Sequence, residues 1–254
     1  MVRANNVSLL VLVEPRISGL VAVLVIQKLG FPNSYRVEAN GFSGGIWVLW
    51  KHDLVVQVLL EHIQFIQLQV RSNQVNFQFT AIYGSPKASL RQSLWDNLCN
   101  AAPSIVCPWI LAGDFNAILS ADEVRGSVVS TRRGYWRYQG CIDQCQLEDL
   151  RFIGAQCTWR RGFEWVRLDR ALANQEWILS FPSTKVYHLP ILSSGHCPLL
   201  IEVQFGHYRA NNWQPRFQFQ SAWLVHSDFA NVVASNWQSQ LSADVSLKKL
   251  STCL

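Results

Sequence analysis

The segment from Val7 to Val13 is a continuous apolar run that stops at Glu14, Pro15 and Arg16. That pattern predicts a strand covered on both faces, delivering a carboxylate at its end. A helix is expected next, around Ile17 to Ile26. Gly41 to Trp50 then reads as a glycine turn feeding a strand, and Leu54 to Leu60 as another. Ile66, Leu68 and Val70 alternate with Gln67 and Gln69, while Val75, Phe77, Phe79 and Ala81 alternate with Asn76, Gln78 and Thr80. A period of two predicts half-buried strands, antiparallel because Ser72-Asn73-Gln74 makes a turn between them.

Helical spacing takes over after Tyr83-Gly84-Ser85-Pro86, at Leu90, Leu94, Trp95 and Leu98. Pro108 ends it, and Trp109 to Ala112 predicts a buried strand running into Gly113-Asp114-Phe115-Asn116. Arg132 to Leu150 holds a helix face of Ile142, Cys145 and Leu147. Cys157 to Arg160 and Glu164 to Leu172 read as a strand pair around Gly162, with Lys185 to Leu189 and Leu199 to Phe205 as the last strands. Many alternating strands interrupted by few helices predict an α+β architecture, two sheets face to face with helices outside. From Gly206 the character changes to a polar joint at Asn211, Asn212, Gln214 and Pro215, followed by a helix-like pattern from Phe217 to Trp237. The expected organisation is a domain over 1–205 and a linker with a helical appendage over 206–254.

The 254 residues are 49% hydrophobic and 15% charged, so disorder is excluded for most of the chain. A chain of this length buries about 70–75% of its unfolded surface and needs no staples. Its seven cysteines are odd in number and contain no C-x-x-C pair, which points to reduced thiols and a nuclear or cytoplasmic, not secreted, protein. Arg3 before the apolar run has some of the shape of a signal peptide, but Glu14 cuts it short. Uncharged stretches fall short of the roughly 18–20 residues of a membrane span, so no membrane association is expected. A net charge of +5 favours polyanions without identifying one.

Glu14, the pair Asp114 and Asn116, Asp169 and His196 fall at predicted strand ends, where a scaffold presents side chains to a cleft. Each alone has a plain structural explanation; G-D-F-N, for instance, is a good turn sequence. Together they match the needs of phosphodiester hydrolysis. Glu14 would bind a hard divalent cation. Asp114 would take a proton from water, with Asn116 pointing to the same side of an extended segment, orienting that water and hydrogen-bonding the phosphate. His196, held by Asp169, would pair with charge on the phosphorane oxygens, and Tyr83 could donate to the same phosphate.

These residues also carry a resemblance. Leu12-Val13-Glu14, Gly44-Gly45-Ile46-Trp47, Ala81-Ile82-Tyr83-Gly84, Ala112 to Asn116, Cys157-Thr158-Trp159-Arg160, Arg167-Leu168-Asp169-Arg170 and Ser194 to Pro198 resemble, in order, the motifs of the endonuclease/exonuclease/phosphatase superfamily. The likeness is greatest to the apurinic-type endonuclease domain of plant LINE retrotransposons. It covers roughly Val7 to Phe205, and Phe217 to Trp223 resembles the region that precedes a reverse transcriptase in those elements. The resemblance implies a four-layer α/β/β/α sandwich of two packed mixed sheets, lacking the family's first strand, which carries an Asn of the metal and phosphate site. It implies Mg2+ (or Mn2+) as cofactor, weakly bound, DNA as partner and no protein partner. Residue by residue, Glu14 matches the metal-binding glutamate, Tyr83 the phosphate-contacting tyrosine, and Asp114 with Asn116 the water-activating pair. Asp169 matches the aspartate that orients the catalytic histidine, and His196 that histidine.

Where the family has Ser-Asp-His, this chain has Ser194-Gly195-His196, one carboxylate short. Low or absent activity is therefore expected, and an inactive remnant that binds nucleic acid stands as the alternative. Superfamily members that cleave phosphate from lipids or inositols are a further reading, opposed by the retroelement-like tail. Arg132-Arg133, Arg160-Arg161 and Arg167 with Arg170 suit a phosphate-contacting rim and equally a solvated basic face. Most of the eleven tryptophans, including Trp47, Trp109 and Trp165, belong to core patterns. His52, His62, His188, His207 and His226 show no zinc-ligand spacing. Cys141 and Cys145 lie one helical turn apart, as two small core residues would.

Overall fold

The computed structural model describes residues 2, 4–38, 44–103, 106–126, 135–192, 194–204, 231, 234 and 235. The chain divides into two units, Met1–Phe205 and Gly206–Leu254. Of the expected appendage, only helical positions Asn231, Ala234 and Ser235 fall within the described residues. The first unit opens with β1 (Leu9–Val13), α1 (Gly19–Leu29), β2 (Asn33–Val37) and β3 (Ile46–Trp50). Three further strands, β4 (Val55–His62), β5 (Phe65–Arg71) and β6 (Asn76–Tyr83), lead to α2 (Ala88–Ala101) and β7 (Trp109–Asp114). After a 3₁₀ turn at Ala121–Glu123 come β8 (Val124–Arg125), α3 (Tyr135–Gln144), β9 (Glu148–Asp149) and β10 (Phe152–Gly154). The unit finishes with β11 (Trp159–Arg161), β12 (Glu164–Val166), β13 (Asp169–Ala173), α4 (Gln175–Ser180), β14 (Lys185–His188) and β15 (Leu199–Glu202).

The largest sheet has the order β4-β5-β6-β7-β13-β9 and is mixed, because β6 and β7 run parallel across α2 while the other pairs are antiparallel. One face of it, with Ile66, Leu68, Val70, Phe79 and Ala81, packs against Ile46 and Val48 of β3 and Val186 of β14. Its other face, with Phe65, Ile82 and Leu111, is covered by Leu94, Trp95 and Leu98 of α2 and Tyr138, Cys141 and Ile142 of α3. Behind β3, Trp47 and Leu49 meet Ala22 and Ile26 of α1. The layers therefore run helix, sheet, sheet, helix, as expected. The second sheet layer consists of two separate three-stranded sheets, β1-β3-β2 and β10-β14-β15. β1 pairs with β3 alone and β15 with β14 alone among the described residues, which is why β1 is half-buried along its length although both its faces are covered.

Several local expectations change in the fold. Gln67 and Gln69 do not face solvent: α2 and the strand β6 cover them, and their amides donate to Ala101 O, Phe77 O and the side chains of Gln78 and Asn76. Leu90 is exposed on α2, which turns Leu94, Trp95 and Leu98 inward instead. α3 ends at Gln144, before Leu147, with Gln146 in the left-handed region at φ 51°. The stretch expected as one strand from Glu164 to Leu172 is two strands in different sheets, β12 paired with β11 and β8, and β13 paired with β7 and β9. Trp47 and Trp109 are core residues, whereas Trp165 is half-buried beneath the Arg160 guanidinium at 4.6 Å.

Candidate active site

The parallel pairing of β6 with β7 puts Tyr83 and Asp114 at the same strand end, and the antiparallel pairing of β13 with β7 sets Asp169 directly opposite Asp114. Gly113 permits this close packing: at φ 142° a Cβ there would lie 2.1 Å from the Ile82 carbonyl oxygen. Asp114 and Asp169 are buried, 3% and 6% exposed. His196 joins them from the loop before β15, pinned by a bridge to Trp159 in which Arg160 N donates to Gly195 O and Cys197 N to Thr158 O.

His196 Nδ1 lies 2.9 Å from Asp169 Oδ2, and its Nε2 lies 3.9 Å from Asp114 Oδ2. Although burial opposes it, the hydrogen bond and charge of Asp169, with Asp114 and Glu14 beyond, raise the imidazole above its ordinary value. The pairing fixes Nδ1 as the donor to Asp169 and directs Nε2 towards the cleft. Asp114 is pushed up to about 8, by burial first and then by the neighbouring Asp169 charge. The hydroxyl of Tyr83 is raised well above its ordinary range by burial and the nearby Glu14, so it remains a donor.

Asn116 departs from its expected place. It adopts φ 49° rather than an extended conformation, because its backbone N–H donates to Asp114 Oδ1 at 2.8 Å in an Asx turn. Its side-chain amide donates to Asp114 Oδ2 at 2.7 Å and to Gly84 O at 2.9 Å. With both amide hydrogens engaged, it holds Asp114 in position and leaves no donor for a phosphate. Glu14 follows β1 at φ 53°, and its carboxylate pairs with Arg16 at 3.1 Å. It is close enough to act electrostatically on Tyr83, Asp114 and His196.

Two further features escaped the sequence reading. Thr158, fully buried, accepts the backbone N–H groups of Leu168 and Asp169 on its Oγ1 at 3.0 and 2.9 Å and so fixes the carboxylate that holds His196. A C-T-W-R tetrapeptide gives no local sign of this role. The second is a buried ion network. Arg167 makes a bidentate pair with Asp149, both bonds 2.7 Å, and Arg170 joins Glu123 and Asp149 at 2.8 and 2.9 Å. Arg170 is fully buried and Arg167 9% exposed. These two arginines therefore do not belong to a phosphate-contacting rim, since both are buried and their guanidinium groups are paired with Glu123 and Asp149. Arg160 and Arg161 are exposed, and Arg132 and Arg133 lie outside the described residues.

Ligand atoms of Asp114, Asp169 and His196 all lie within 4.8 Å of one another, a spacing that could hold a metal ion; Glu14 stands outside that group. The donors nearby are predominantly carboxylate oxygens, and two of them are buried side by side at a cost reflected in the raised Asp114. A hard divalent cation fits such a set. At Gly195 an added Cβ would lie 3.1 Å from the Arg160 carbonyl, an ordinary backbone conformation with room for a side chain if that carbonyl gives slightly.

A histidine held by one aspartate and facing a second thus stands at the strand ends of the six-stranded sheet, beside a buried tyrosine and a glutamate. The family model of the endonuclease/exonuclease/phosphatase family matches residues 1–193, and the chain belongs to that family. Among solved structures, the fold is similar to the endonuclease domain of TRAS1, a telomere-specific non-LTR retrotransposon, with TM-score 0.59 and 16% identity over 80% of this chain and 88% of that one. It is similar also to the AP endonuclease LMAP from Leishmania major, with TM-score 0.58 and 12% identity over 78% of each chain. A third is ANGEL2, a 2′,3′-cyclic phosphatase, with TM-score 0.50 and 14% identity over 79% of this chain and 82% of that one. A search of the curated proteins finds no match. Among the described residues, no helix is long and apolar enough to cross a membrane.

Proposed function

We propose that the 1–205 unit is a divalent-cation-dependent phosphodiesterase acting on DNA, of the kind carried by LINE-type elements, with a weakened metal site. The observation that carries this reading is the Asp114–His196–Asp169 arrangement, a base and an oriented imidazole facing one point. The ordered motifs and the likeness to a retrotransposon endonuclease fold support the choice of DNA.

In this mechanism water attacks phosphorus in line with the departing oxygen. Asp114 accepts the proton of that water, its affinity for a proton raised by burial and by the neighbouring Asp169 charge. Asn116 fixes both oxygens of Asp114 while this occurs. His196, protonated and oriented by Asp169, pairs with the negative charge on the phosphoryl oxygens. Tyr83 donates its hydroxyl hydrogen to the same group. Mg2+ or Mn2+, held by Glu14 with an oxygen of the buried aspartates, would supply charge neutralisation of the phosphate and leaving oxygen when bound.

The test is nicking of supercoiled plasmid in Mg2+ or Mn2+. The native chain is expected to nick slowly, Asp114→Ala to lose about 10²–10³ of that rate, and Gly195→Asp to exceed the native chain. Nicking that survives Asp114→Ala overturns the assignment, as does a folded Gly195→Asp protein that is inert on DNA. A second reading, a remnant that binds nucleic acid without cleaving it, draws on Gly195 and on the pairing of Glu14 with Arg16. Its signature is binding that weakens steeply with salt and no nicking by either protein.

A further inference from the structure

The helices α2 and α3 bring three cysteines together on the outer layer of the six-stranded sheet. Cys99 comes from the last turn of α2, Cys141 from α3, and Cys145 from the residue just past its end. The α3 turn is continued to Cys145 by the bond from its N–H to Cys141 O at 3.0 Å, so both thiols stay on one side. The three Sγ atoms all lie within 4.8 Å of one another, and Cys99 and Cys145 are 3.7 Å apart. Cys141 is buried, while Cys99 and Cys145 are half-buried.

That spacing has a chemical meaning. A Zn–S bond of about 2.3 Å in tetrahedral geometry places two sulfurs about 3.8 Å apart, close to the separation of Cys99 and Cys145. Soft thiolates select thiophilic cations over the hard ions that suit the carboxylate cleft.

We propose that Cys99, Cys141 and Cys145 form a three-thiolate site for a thiophilic divalent cation of the Zn2+ class, with its fourth position open to solvent, tying the end of α2 to the end of α3. Each S–H that becomes a ligand releases its proton to solvent, and Cys141 exchanges its present bond to Trp95 O, at 3.6 Å, for the metal. The site is independent of the carboxylate cleft, so it stands or falls apart from the proposed hydrolysis.

The probe is Co2+ titrated into the full, reduced chain, followed by displacement with Zn2+. One equivalent of Co2+ is expected to produce sulfur-to-cobalt charge-transfer absorption, which a cation in the carboxylate cleft cannot give, and Zn2+ is expected to abolish it. Cys99→Ser and Cys145→Ser, at half-buried positions where serine is tolerated, are expected to lose the band. Their Zn2+ affinity is expected to fall by more than about 100-fold, since outer partners of ligands alone cost about 10–100-fold. Cys107→Ser and Cys157→Ser are expected to keep both. Absence of the band in the reduced native chain overturns the proposal, as does its persistence in Cys145→Ser. Formation of a Cys99–Cys145 disulfide in air with no metal uptake by the reduced protein also overturns it, in favour of a redox pair.

Discussion

The Arg16 guanidinium holds the Glu14 carboxylate at 3.1 Å, with both side chains partly exposed, 65% and 33%. An ion pair at that exposure contributes about 0–1 kcal/mol, yet it competes directly with any cation for the same oxygens. Arg16→Ala is therefore expected to leave the urea midpoint nearly unchanged while lowering the Mn2+ concentration at half-saturation, measured by paramagnetic relaxation of water protons. An unchanged half-saturation would mean that Glu14 takes no part in holding the ion. For the proposed site residues, it is their placement together that was legible: Glu14 follows β1, Tyr83 and Asp114 close β6 and β7, Asp169 opens β13, and His196 enters from the loop before β15. Asn116 was legible as a residue but not in its geometry. An Asx turn consumes its donors, and a period-two reading assumes an extended chain where the backbone is left-handed.

At the level of the element, β13 shows why alternation alone misplaces charge. Its five residues, Asp169-Arg170-Ala171-Leu172-Ala173, are buried throughout, because β7 and β9 pair with its two edges while packed layers cover its faces. A polar residue in such a strand survives by pairing, and Arg170 does so with Glu123 and Asp149, neither of which has a sequence signal linking it to position 170. The same network grips the chain on either side of Asp169, at Arg167 and Arg170, and keeps that carboxylate in register with Asp114. Removing one partner leaves the other charges buried and unpaired, a cost of about 3–5 kcal/mol. Arg170→Ala is expected to lower stability by that amount in urea unfolding, whereas Arg161→Ala on the exposed end of β11 is expected to change it by less than about 0.5 kcal/mol. Similar values for the two would place Arg170 outside any energetic role. The strands β5 and β6 were legible as an antiparallel pair, but their glutamines were not legible as buried, since their partners on β6 and at the end of α2 decide that.

For the whole unit, the layered packing buries a titratable group that neither the cleft nor the ion network uses. His188 ends β14 at 6% exposure, stacked on Phe152 at a ring separation of 4.1 Å, with Nδ1 against Ala155 O at 2.6 Å and Nε2 without a partner. Burial, followed by the effect of Arg167, lowers its pKa, against the opposing bond to Ala155. Between the unfolded value of about 6.5 and the lower folded one, the unfolded chain takes up a proton that the folded chain refuses. Stability therefore rises with pH across that window: the contribution is complete above the unfolded pKa and disappears as the pH falls through the folded one. His62, lowered by burial, acts in the same sense, while the raised His196 acts in the opposite one, stabilising most below its unfolded pKa and losing that contribution as the pH rises through its folded value. Because these effects overlap, the difference between proteins isolates His188. Urea midpoints of the native chain and His188→Gln, compared at about pH 7.5 and 5.5 on either side of the unfolded value, are expected to show the larger acid-induced loss in the native chain. The variant is expected to be less stable at both values through loss of the Phe152 stack. Parallel pH slopes for the two would mean that the packed layers do not hold His188 neutral.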